Sequence, residues 1–221
     1  MNSRVLSKSL VSTAAIMLGF TTSAFAGPPL ICHRIQIGQA KTLPLMDWNR
    51  KETAGYDLKN LTRNTLAILD SNPPVLVRME TLRLATIYAR HDSQVAKELL
   101  TRLHARTSGS SGQTEALAWF DLGYLTEAYK QWIPRSNPAA GLDGYAWVKK
   151  AISLRGQDDP EMEFAAALIT LDGPEDEHKD HVRKATAGAK LDRLLAQNLA
   201  SRFGDQSTVE VLSITPGKLR K

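Results

Sequence analysis

Cysteine is almost absent from this chain: Cys32 stands alone among 221 residues. That excludes an internal disulfide, so stability has to come from packing. Long apolar runs are equally scarce, and none after residue 26 could span a bilayer. The chain has no G-x-S-x-G elbow, no H-E-x-x-H pair, no phosphate loop and no G-x-G-x-x-G turn. Those absences do not exclude an enzyme, but they remove any warrant to name a reaction, and no cofactor or metal is expected. Strong charge of one sign is missing too. Two of the 28 basic residues, Arg4 and Lys8, precede Gly27, whereas all 23 acids follow it. The remainder is weakly basic with interspersed signs, so nucleic acid is not an expected partner. Only Lys218, Arg220 and Lys221 make a locally basic tail.

What is present begins with an address. Arg4 and Lys8 give a positive start, an apolar stretch runs from Leu10 to Phe20, and Ala24-Phe25-Ala26 supplies the small-x-small pattern of a cleavage site before Gly27. The apolar stretch is too short to be a stable span, so residues 1–26 read as a secretory signal peptide. The mature protein is expected to be exported, to the bacterial periplasm or beyond, and not transmembrane. Ile31 precedes Cys32 where a lipoprotein signal carries Gly or Ala.

Residues 27–58 read as a loop-rich N-terminal arm, because Pro28, Pro29, Gly38, Pro44 and Gly55 interrupt any long helix. Leu43, Leu45, Met46 and Trp48 are its expected anchors. Residues 59–204 read as helices, and 205–221 as a tail. The periodicity predicts helices over 58–70, from Pro74 to about Ala89, after the Asp92 cap, over 114–132, over 145–154, from Asp159-Pro160 onward, and a last long one over 178–203. Its inward face is expected to carry Leu191, Leu194, Leu195 and Leu199. Helices opening near 74, 114 and 159 carry apolar residues on two sides, which predicts that each is sandwiched between neighbours. Each is followed by a simpler helix.

The spacing of those openings is that of an internal repeat. Trp119-x-x-Leu122-Gly123 resembles the start of a tetratricopeptide first helix, with Thr126 where that pattern has tyrosine. The helix from Tyr145 to Leu154, followed by Asp159-Pro160, resembles a tetratricopeptide second helix and its turn. The resemblance implies an all-α fold of stacked antiparallel helix pairs, a tetratricopeptide-like α-solenoid. It also implies binding of a protein or peptide along a concave face. Trp119, Tyr124, Tyr145 and Trp147 are the candidate groove residues, with inter-helix packing as their plainer role.

The chemically odd place is Cys32, with His33 and Arg34 beside it. The opening from Gly27 to Arg34 is similar to that of uncharacterised exported bacterial proteins. Two cationic neighbours favour a thiolate. Cys32 with His33 is therefore a candidate reactive thiol, or an intermolecular disulfide to a partner, in a small exported thiol protein or enzyme. The alternative is a small buried anchor of the arm. Haem attachment through C-x-x-C-H would need cysteine where Pro29 stands. His178 and His181, three apart among acids at a helix start, read as solvated.

Overall fold

The computed structural model describes residues 27–45, 55–133, 136–156 and 159–204. The regular structure among them is all helical. A 3-10 turn over Leu58–Asn60 leads into α1 (Leu61–Asp70), α2 (Val75–Ala89), α3 (Ser93–Ser108), α4 (Gly112–Trp132), α5 (Gly144–Arg155), α6 (Pro160–Ile169), α7 (Glu175–Ala189) and α8 (Arg193–Phe203). No helix among the described residues is long and apolar enough to cross a membrane. The signal-like residues 1–26 and the tail 205–221 lie outside the described residues, as do Met46 and Trp48.

The sandwiched helices are the ones with two apolar sides. Every residue of α2 is buried, and so is α6 from Met162 to Leu168. The helices α2, α4 and α6 touch one another pairwise. Around them α1 and α3 cover α2, α3 and α5 cover α4, and α7 covers α6, while α8 meets α6 and α7. Residues such as Met79, Leu82, Phe120, Tyr129 and Phe164 are wholly enclosed. Each such side chain contributes roughly 1.5–3 kcal/mol relative to exposure.

Local chemistry sets the helix ends. Asp92 caps α3 by accepting from the amides of Gln94 and Val95. Asp159 caps α6 at Glu161 and Met162, with Pro160 where its missing N–H costs nothing. Gly156 ends α5 in a left-handed conformation (φ +80°) that a side chain would resist. Gly123 and Gly144 allow α4 and α5 to meet backbone to backbone. A Cβ on Gly123 would lie 2.6 Å from the Gly144 carbonyl oxygen, so alanine there would push the helices apart.

Two expectations are corrected. The long last helix is two helices, broken at Lys190–Asp192. Asp192 accepts from the Leu195 amide and starts α8, and Leu191 is left 99% exposed in the turn instead of facing inward. At Gly188, near the end of α7, a Cβ would collide with the Pro160 ring, so the glycine lets α7 approach α6. In the N-terminal segment Leu43 is buried as expected, but Leu45 is 53% exposed and anchors nothing.

Candidate functional site

Residues 27–45 contain no helix or strand, yet Leu30, Ile31, Ile35, Ile37 and Leu43 are buried. A buried segment outside a sheet must find other partners for its amides and carbonyls. Here side chains of α2, α4 and α8 supply them. Gln131 on α4 accepts from the Leu30 amide at 2.9 Å. On α2, Glu80 accepts from the Ile35 amide at 2.9 Å and Arg83 donates to the Ile31 carbonyl at 2.8 Å. Asn198 on α8 accepts from the Gln36 amide at 2.8 Å and donates to the Gln36 carbonyl at 2.9 Å. Arg202, one turn further along α8, donates to the Pro29 carbonyl. Gly38 faces Leu194, one turn before Asn198, so residues 29–38 run along α8 in the opposite direction to it. Beyond the turn that Ala40 closes onto Ile37, the Thr42 hydroxyl bonds that of Thr81, and Tyr88 donates to the Pro44 carbonyl.

This arrangement is a bed with two walls, α2 with α4 on one side and α8 on the other, holding an irregular segment by its backbone. Glu80 and Arg83 act as one unit. Arg83 forks onto Glu80 through Nε at 2.7 Å and Nη2 at 2.9 Å, leaving Nη1 for the Ile31 carbonyl. The pair offers the segment one acceptor and one donor while its own charges cancel.

Cys32 lies on this segment and is exposed, so it is not the buried anchor. Burial, with the charges of Arg202 and Arg83, pushes the His33 imidazole below its ordinary pKa. That direction works against the positive charge expected from His33 next to the thiol.

The four candidate groove aromatics do not share one surface. Tyr124 is fully enclosed and stacks on Phe120 with centroids 5.8 Å apart. Trp119 and Trp147 pair across α4 and α5 at 6.2 Å, and Lys150 places Nζ 3.7 Å over the Trp119 ring. Tyr145 goes elsewhere, to a cavity of about 450 Å³ lined by Lys149, Glu163, Glu177, Asp180, His181 and Lys184 among others. There the Tyr145 hydroxyl lies 2.7 Å from His181 Nε2 and 3.0 Å from Glu177 Oε2. His181 Nδ1 contacts the buried Glu163 carboxylate. Burial and Glu177 push the Tyr145 pKa up, so its hydroxyl stays protonated. Glu163, His181, Tyr145 and Glu177 thus form a chain of groups able to hold or pass a proton.

His181 is buried rather than solvated, and its helix shows why: His181, Ala185 and Ala189 recur every fourth residue and make the buried stripe of α7. That spacing was readable, but small alanines hid it among the charges around them. Among the described residues no group of three or more His, Cys, Asp or Glu could hold a metal ion. No protein-family model matches this chain, and no curated protein or solved structure matches it either.

Proposed function

We propose that this chain is an exported helical-repeat protein that binds an extended segment of another protein between α2 and α8, without catalysing a reaction. One observation carries the reading: six backbone groups between Pro29 and Gln36 are held by side chains of three helices. Backbone amides and carbonyls are common to every peptide, so a bed matched to them, with pockets for apolar side chains, suits extended peptides generally. In this reading residues 29–38 are the groove's own occupant. Being tethered, they act at an effective concentration of order millimolar and set the affinity a competitor must reach. The order of a largely buried helix followed by a covering one, in α2/α3, α4/α5 and α6/α7, supports a tetratricopeptide-like array. The leader-like residues 1–26 support export.

The test is to place a specific protease site between residues 46 and 54, cut the folded protein, and add excess labelled peptide of residues 27–45. The nicked segment should stay bound through gel filtration and then exchange for the labelled peptide. Asn198→Ala should speed its release about tenfold, since two backbone hydrogen bonds are lost. A nicked segment that never exchanges, or whose release unfolds the helices, would make it fixed core and end the proposal. A second reading, a disulfide from Cys32 to a partner's cysteine, is favoured by the exposure of Cys32 on this segment. Intact mass of the native protein with and without reductant decides it; an unchanged mass removes it.

A further inference from the structure

Arg202 is 4% exposed and Tyr124 is wholly buried. Among the described residues no carboxylate pairs with Arg202, whose Nη2 donates to the Pro29 carbonyl while Nε and Nη1 have no hydrogen-bond partner; the Tyr124 hydroxyl has none either. The two side chains are neighbours that perturb each other's ionisation. Nearby, Arg83 is also buried, but Glu80 cancels its charge. The bed therefore holds one uncompensated guanidinium and three donors without acceptors at the head of the groove. Burying a charge in that state is costly, and unmatched donors of this kind point to a group that completes them.

We infer that the groove is built to receive a carboxylate side chain of its partner at Arg202 and Tyr124; this rests on the groove reading above. A backbone carbonyl has a single oxygen and no charge. A carboxylate presents two oxygens to the fork of a guanidinium, and its charge-assisted bonds are about twice as strong. The chain's own segment is thus a deliberately incomplete occupant, and an acidic partner gains the bonds it leaves unmade. The segment continues through Pro28 and Gly27 beyond its contact with Arg202, so an occupant on the same path has chain on both sides. That favours an Asp or Glu side chain over a terminal carboxylate.

The experiment uses the full chain. Pro28→Asp and Pro29→Asp are each compared with the Asn counterpart, in the natural background and with Arg202→Gln. At one of the two positions the Asp form should melt about 2–4 °C above its Asn twin, and the difference should vanish with Arg202→Gln. Equal melting of Asp and Asn at both positions overturns the inference, and this comparison does not need the Arg202 variant to fold. A difference that survives Arg202→Gln overturns it as well, because the acid then acts without the guanidinium. An exchanging segment with no coupling to Arg202 removes this inference alone, whereas a segment that never exchanges removes the groove reading too.

Discussion

Two buried arginines, Arg78 on α2 and Arg202 on α8, are set in opposite ways. Arg78 gives Nη1 to Asp121 at 2.7 Å, Nη2 to the Leu69 carbonyl at 3.0 Å and Nε to the Pro73 carbonyl at 3.1 Å. Asp121 takes a second guanidinium, Arg106, at 2.9 Å, and Arg106 reaches Asp70. One network therefore ties α1, α2, α3 and α4 together, with each donor nitrogen of Arg78 matched. Among the described residues Arg202 has one carbonyl and no carboxylate. The difference separates the two sides of the bed: α2 and α4 are locked together electrostatically, whereas α8 carries guanidinium donors without acceptors.

The sharpest way to break that contrast is to remove one charge from each side. Asp121→Ala strands Arg78 and Arg106 and should cost about 3–5 kcal/mol in a denaturant titration. Arg202→Met discards an unpaired buried charge along with one hydrogen bond, so its cost should be about 1 kcal/mol or less. Comparable losses for the two variants would mean that α8 is held as firmly as α2 and that the contrast is false.

Much of this architecture could be read from residue patterns, and the exceptions have physical causes. Two apolar sides on one helix marked α2, α4 and α6 as interior, and Asp92 and Asp159-Pro160 marked helix starts. Hydrophobic periodicity is blind to polar interiors, however. It gave no sign that Arg78, Glu80 and Arg83 are buried, because their burial depends on partners from α4 and on the carbonyls of Leu69, Pro73 and Ile31. The bed itself was invisible for the same reason. Asn198 and Gln36 are 162 positions apart, and nothing local in either links them. Residues 27–45 were legible as a stretch without helix or strand, but what that stretch lies in was not.

The boundary of α8 carries a second incomplete charge, which sharpens the comparison. Glu161, in the first turn of α6, accepts from the Leu76 amide at 3.0 Å, which ties it to the start of α2. Burial, aided by the charges of Asp192 and Asp159, pushes its carboxyl up to about 7. Asp192 is the cap of α8. A carboxyl raised above its unfolded value of about 4.5 binds its proton more tightly in the native state, so stability falls as pH rises from there to about 7. Melting curves between pH 5 and 8 should show that decline, and Glu161→Gln should flatten it and raise stability at pH 8. A Gln variant with the natural pH slope would assign the decline to other groups and leave the α8 boundary no different from the rest.

The smallest effect belongs to the turn that begins this wall. Leu191 falls where a continuous helix would have placed it inward, yet Asp192 caps a new helix and turns Leu191 outward, 99% exposed. Leu199, two turns on and fully enclosed, shows what an inward leucine of α8 does. Leu199→Ala should cost about 2–5 kcal/mol through lost burial and a cavity. Leu191→Ser should change stability by no more than about 0.5 kcal/mol. Parity between the two would restore the single long helix, and with it a rigid α8 wall. A large gap leaves α8 as a separate short helix. It is joined to α7 by a turn whose leucine lies outside the core, while Leu195 and Leu199 hold it against α6 and α7.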